Sequence, residues 1–202
     1  MTAPEYVAMS ATFYAGDTLD IARGLVGRYL LSQIGGPLVG GRIVETEAYL
    51  EDDPASHSFR GPTKRNRAMF GPAGRAYVYR SYGVHWCMNV VTGDPGCGAA
   101  VLIRALEPVN GLDIMRARRG VDNVRLLCAG PGRLCQALAI VGDLDGVRLD
   151  MPPLWIGAGV GPRAPVVCSG RIGVGAGADR PFRFLEAGNP YVSRRRVNGP
   201  CP

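Results

Sequence analysis

Residues 42–50 read RIVETEAYL, and this stretch constrains the chain more than any other. Two glutamates and a tyrosine interrupt an otherwise apolar run. Side chains alternate faces along a strand, so Ile43, Glu45, Glu47 and Tyr49 would share one face, and Val44, Thr46, Ala48 and Leu50 the other. The second face has the character of a buried one. The first then places two carboxylates and an aromatic ring on a rigid element. Same-face β-carbons two residues apart lie roughly 7 Å from each other, from a rise of about 3.3 Å per residue. That range overlaps the carboxylate pairs of glycoside hydrolases, so acid–base or water-activating chemistry is geometrically open. Taken alone, the stretch fits an edge strand with its charges in water better than a catalytic strand.

The rest of the chain bounds what such a strand could serve. A chain of 202 residues with 47% hydrophobic content suits one domain with a real core. No apolar run is long enough to span a bilayer, and the start of the chain lacks a basic flank followed by an apolar stretch. Nothing in these features suggests secretion. The six cysteines form no C-x-x-C pair and are expected to be reduced core residues. His57 and His85 are the only histidines, too few for an ordinary structural zinc site. The net charge of +6 points weakly to a polyanionic partner, and nearly all of the positive charge is arginine, Lys64 being the only lysine.

In chain order, residues 1–12 read as a loosely held arm. Asp17 is placed to cap a helix running through Leu19, Ile21, Ala22, Leu25, Val26, Tyr29 and Leu30. Gly35, Gly36 and Pro37 turn into a strand over 38–50. Residues 51–74 form a long polar loop that carries Arg60, Lys64, Arg65 and Arg67, and a loop of that length in a compact domain is usually functional or disordered. Residues 75–91 read as a hairpin turning at Tyr82-Gly83. A strand over 99–108 follows. Asn110 is a candidate cap, with Asp113 completing a capping box, for a helix through Leu112, Ile114, Met115 and Arg118. A second helix is expected from Gly130-Pro131 through Ala139. Short strands are expected in the glycine-rich remainder, and then a basic tail.

Two local features carry chemistry. A tight hairpin turn ordinarily takes Asn, Asp or Gly, yet Tyr82 stands there. A ring at such a tip is forced outward, and proteins that distort duplexes insert wedges of this kind between base steps. Gly130-Pro131-Gly132 at a helix start, with Arg133 beside it, suits a phosphate or simply a helix start, and both readings stand. Gly173, Gly175 and Gly177 lack the following helix of a dinucleotide loop and fit a strand end with close backbone contacts. Tyr77 and Tyr79 share a face, so Tyr49, His57 and Tyr79 could converge on one aromatic pocket.

Taken together, the ordered blocks RIVETEAY, ASHS, RNRAMF, AYVYRSYGVHWCMNVV, VLIRALEP, GPGRLCQALAI and RIGVGAGADRPFRF resemble the alkyladenine (3-methyladenine) DNA glycosylase family, over about 13–193. The resemblance implies an α+β fold: a single mixed domain with a curved antiparallel sheet, flanking helices and a protruding β-hairpin. Its limits would be 13–193, with 1–12 as an N-terminal arm and 194–202 as a basic C-terminal tail. It implies a monofunctional hydrolase that flips alkylated or deaminated purines out of double-stranded DNA and leaves an abasic site for base excision repair, in the cytoplasm at the nucleoid, or in the nucleus of a eukaryote. By resemblance Glu47 is the general base, and Arg104 positions it. Tyr49, His57 and Tyr79 enclose the flipped base, Asn89 screens it, and Tyr82 intercalates. Glu45 matches a position without a catalytic role. Phosphate contacts are expected from Arg60, Lys64, Arg65, Arg67 and Arg133.

The chemistry agrees. Extrusion of a base needs a wedge and a stacking pocket. Aromatic walls attract a cationic alkylpurine by roughly 0.5–2 kcal/mol. Strand-cutting glycosylases need an amine nucleophile, and Lys64 lies in the basic loop. No metal or organic cofactor is called for, no membrane is involved, and a monomer is expected. Two rivals stand beside this reading: a module that binds damaged bases without excising them, and a carbohydrate hydrolase using Glu45 and Glu47. Glu47 argues against the first, and salt-sensitive DNA binding would exclude the second.

Overall fold

The computed structural model describes residues 6–159 and 163–193. A short strand β1 (Val7–Ala8) leads into helices α1 (Ala11–Tyr14) and α2 (Thr18–Leu25), and then strands β2 (Tyr29–Ser32) and β3 (Val39–Tyr49). The long loop holds one turn of 3-10 helix, Arg67–Phe70. Strands β4 (Ala76–Ser81), β5 (His85–Thr92) and β6 (Ala99–Asn110) follow. Next come helices α3 (Leu112–Arg119), α4 (Val124–Leu127) and α5 (Pro131–Leu138). The last strands are β7 (Asp150–Met151), β8 (Leu154–Ala158), β9 (Val166–Ser169) and β10 (Arg183–Glu186).

All strand pairs are antiparallel, in the order β1-β8-β2-β3-β6-β5-β4, with β7 added to β8 and β10 joining β3 to β9. The sheet is curled, with helices against it, as expected for an α+β domain. β3 lies at its centre. β6 lines one side of β3 for nearly its whole length, while β2 covers the other side over residues 39–42 and β10 over residues 45–47. β3 is thus an interior strand with no free edge, and its two faces are covered as well, since Glu45 and Glu47 are both fully buried. The edge-strand reading is thereby corrected.

Strict alternation fails at one point on β3. Ile43 and Ala48 both belong to the main apolar core, although an odd spacing puts them on opposite faces of a regular strand. The pairing with β6 shifts register between Ile43 and Glu45, leaving Val44 as an extra residue. Such a bulge reverses the faces on either side of it. Ile43 therefore joins the core, not the carboxylate face.

Other expectations are also adjusted. Asp17 does cap α2, accepting from the backbone N–H groups of Leu19 (2.8 Å) and Asp20 (3.0 Å). The helix stops at Leu25, however, and Gly27 turns with φ +86°. Tyr29 and Leu30 then enter β2, because pairing with both β3 and β8 buries Leu30 and Leu31 completely. Asn110 ends β6 and accepts from the Tyr6 hydroxyl at 2.8 Å. Gly111, at φ +69°, stands at the start of α3, and Asp113 pairs with Arg116 and does not cap. Cys168 is disulfide-bonded, against the expectation of reduced thiols, whereas Cys87, Cys97, Cys128 and Cys135 are free. The tail at 194–202 lies outside the described residues. None of the described helices is long and apolar enough to cross a membrane.

Candidate active site

The register of four adjacent strands sets out the site. Glu47 on β3 faces Leu102 on β6, Leu102 faces Asn89 on β5, and Asn89 faces Tyr77 on β4. Tyr79, two residues on from Tyr77, stands on the same face opposite Cys87. The row leads from a buried carboxylate at the sheet centre to an aromatic wall at the hairpin. A cavity of about 530 Å³ opens beside it, within the range of small-molecule sites. Tyr49, His57, Tyr79, Tyr82, Asn89 and Arg104 all line it, so these positions predicted from sequence do converge.

Glu47 does not itself reach the cavity surface. Three groups that line it hold its carboxylate: Arg104 Nη1 donates to Oε2 at 3.1 Å, the Tyr49 hydroxyl to Oε2 at 2.9 Å, and the Ile172 backbone N–H to Oε1 at 2.7 Å. Burial pushes the Glu47 carboxyl above its usual range. Arg104, Ile172 and Tyr49 pull in the opposite direction without cancelling that rise, and the neighbouring Glu45 adds to it. Burial likewise drives the Tyr49 hydroxyl up, so it stays protonated and donates.

Arg104 reaches both glutamates because of a second bulge. Glu45 pairs with Ala105 and Thr46 with Ile103, which leaves Arg104 as the extra residue on β6. Bulges re-aim side chains next to active sites. Here Nε donates to Glu45 Oε1 at 3.0 Å while Nη1 reaches Glu47. Glu45 also accepts from Arg183 Nε (2.8 Å), the Ser193 hydroxyl (2.8 Å) and the Ser193 N–H (2.6 Å). Its oxygens are thus occupied by structural partners.

The rings of the aromatic wall pack on one another. Tyr77 and Tyr79 stack with centroids 5.3 Å apart at 26°, and His57 meets Tyr79 edge-on at 4.5 Å. His57 Nδ1 shares a 2.9 Å hydrogen bond with the Tyr77 hydroxyl. Burial, and then the charge of Arg65, hold the imidazole below its usual pKa, so the ring is neutral at physiological pH. Asn89 Nδ2 donates to the Tyr77 carbonyl at 3.2 Å.

At the hairpin tip, Tyr82 (φ +49°) and Gly83 (φ +68°) are both left-handed, as a tight primed turn demands. Val84 N–H closes the turn on the Ser81 carbonyl at 3.0 Å. The strands resume pairing at Ser81 and His85, so Val84 is one residue more than a two-residue hairpin would have. The Tyr82 side chain is 93% exposed.

Several contributors escaped the sequence. Arg171 and Asp53 form a fully buried ion pair, and Arg171 Nη1 also donates to the Ala48 carbonyl at 3.0 Å. The Arg171 guanidinium lies 4.8 Å from the centre of the Tyr49 ring and 5.4 Å from that of Phe182, so it backs the tyrosine that holds Glu47. The glycine-rich segment expected to be only a strand end supplies Ile172 to Glu47 and Gly173 and Val174 to the cavity wall. An arginine beside a glycine cluster was the available signal; Asp53, one of three acids in EDD, offered none. Among the expected phosphate contacts, Arg60, Lys64, Arg67 and Arg133 are exposed and do not line the cavity, whereas Arg65 is exposed and does line it.

Residues 12–190 match the family model described as methylpurine-DNA glycosylase. The chain belongs to the methylpurine-DNA glycosylase family. Membership makes it a DNA glycosylase, a hydrolase class of DNA repair. It is 55% identical to a protein of Nitrosospira multiformis over 181 residues, covering 90% of this chain and 91% of that one. It is 52% identical to one of Methanoculleus marisnigri over 193 residues, covering 94% and 100%, and 51% identical to one of Agrobacterium fabrum over 185 residues, covering 91% of each. All three relatives carry the name "Putative 3-methyladenine DNA glycosylase".

Proposed function

We propose that the chain, acting as a monomer, flips an alkylated or deaminated purine out of duplex DNA. It then hydrolyses the N-glycosidic bond with a water activated by Glu47. The observation that carries this reading is a buried carboxylate held by Tyr49, Arg104 and Ile172, three groups that line an aromatic cavity, with an exposed tyrosine on the adjoining hairpin.

In this account Tyr82 enters the duplex and fills the space the base vacates. The base stacks between Tyr49 and the His57–Tyr79 wall, and Asn89, its amide fixed by Tyr77, screens the base edge. A carboxylate oxygen can accept two hydrogen bonds, and Oε1 takes one from Ile172. Its second position suits the attacking water. Glu47 takes the proton as the bond to the sugar breaks, with its raised pKa nearer the operating pH of a general base. Arg104, itself held by Glu45, keeps the carboxylate in place without joining the chemistry.

Lys64 is the only lysine and is not among the residues lining the cavity, which supports a monofunctional reaction ending at an abasic site. The catalytic unit is taken as 13–193, flanked by the arm at 1–12 and the tail at 194–202.

The test is incubation with duplexes carrying one hypoxanthine, one ethenoadenine or one 7-methylguanine. Expected is a strand that stays intact until alkali cleaves it at the lesion, with no covalent adduct trapped by borohydride. No alkali-labile product from any of the lesions overturns the enzyme reading, and a borohydride-trapped adduct overturns the monofunctional one.

A further inference from the structure

Four arginines line the cavity or back its aromatic rings, and two of them are paired with carboxylates: Arg104 with Glu45 and Glu47, and Arg171 with Asp53. Arg80 has no such partner among the described residues, but its guanidinium lies against Trp86, 5.7 Å from the centre of a ring that does not line the cavity. Arg65 is the unpaired arginine set against a ring of the cavity wall. It projects from the long loop, lines the cavity, and sets its guanidinium 5.7 Å from the centre of the Tyr79 ring. Its one hydrogen bond among the described residues is from Nη2 to the Arg80 carbonyl at 3.1 Å, and no carboxylate pairs with it there. A neutral carbonyl fixes the side chain but leaves its charge uncompensated.

We infer that Arg65 is a specificity-determining residue that biases the cavity toward neutral damaged bases and against cationic ones. This rests on the glycosylase reading above. The physical reason has two parts. A tyrosine ring attracts a cation through its negative face, and Arg65 already occupies that attraction at Tyr79. Its charge also repels a cationic base stacked on the same wall, whereas it favours the negative charge that builds on a neutral base as it departs. The field of Arg65 reaches into the cavity, since it contributes to lowering the pKa of His57. The sequence placed Arg65 with the phosphate-binding residues. A phosphate contact would act on both kinds of lesion alike.

The two roles separate in single-turnover excision at saturating enzyme, comparing hypoxanthine (neutral) with 7-methylguanine (cationic) in the same duplex. Arg65→Gln is expected to shift the rate ratio toward 7-methylguanine by about threefold or more, the scale of one partly screened charge at this range. Arg65→Lys, which keeps the charge, is expected to hold the wild-type ratio within about a factor of two, on the same screened-charge scale. A ratio unmoved in Arg65→Gln, or moved equally in Arg65→Lys, overturns the inference while leaving the glycosylase reading intact. A wild type that releases neither base overturns both.

Discussion

At the residue scale the molecule turns on how differently two neighbouring glutamates are used. Glu45 and Glu47 are equally buried, yet Glu45 is enclosed by two arginines and Ser193, whereas Glu47 is bonded to the groups that form the cavity floor. Because the Glu47 pKa is raised and a general base acts only when ionised, the rate of base release should fall as pH drops through that pKa. The acidic limb should lie above the ordinary carboxylate range, with the rate level on the alkaline side, as a single-turnover pH profile would show. Behind Tyr49, the Arg171–Asp53 pair is a second point of leverage. Breaking a buried pair leaves one charge uncompensated and costs about 3–5 kcal/mol. Asp53→Ala should therefore lower the unfolding free energy by that order in denaturant titration. It should also slow base release from the fraction that stays folded, because Tyr49 loses its backing.

At the element scale the hairpin and the bulged strand pair do the positioning. A non-glycine residue in left-handed backbone costs about 1–2 kcal/mol, and Tyr82 bears that cost with its ring in water. Tyr82→Gly should consequently leave stability unchanged or raise it by up to about 1 kcal/mol. Excision from duplex should fall about tenfold or more if the ring supplies the few kcal/mol that unstacking costs. Thermal melting and duplex excision measured on one preparation check both halves, and full duplex activity would count against the wedge. The hairpin was legible because Tyr-Gly between two aromatic-rich runs is a local signal. The bulges at Val44 and Arg104 were not. Each depends on the register between β3 and β6, strands more than fifty positions apart in the chain, and no local pattern encodes it. The same holds for β2, where helical spacing of apolar residues continued past Leu25 and only pairing on both sides made a strand.

At the scale of the whole molecule, β3 was legible as the strand that brings the carboxylates to the cavity but not as the centre of the sheet. Its continuous apolar character is what burial on both faces looks like, and the two charges disguised it. The residues named from the ordered blocks line one cavity or, for Glu47, bond to groups that line it; of the residues that hold them, Arg171 and Arg183 lie in the last ordered block, which gave them no role, and Asp53 and Ser193 come from segments with no pattern of their own. The net charge of +6 should show as salt-dependent DNA affinity. Arg67 is exposed and away from the cavity, so Arg67→Ala should weaken binding to all duplexes alike and reduce the slope of log affinity against log salt by about 1. The role proposed for Glu47 is to perform the chemistry and not merely to bind. It is tested by Glu47→Gln, with lesion-duplex affinity and single-turnover base release measured side by side. Affinity is expected within about tenfold of wild type, with release slowed by about 100-fold or more, the range of a lost general base. Release at the wild-type rate, or loss of lesion binding in a folded variant, would contradict it.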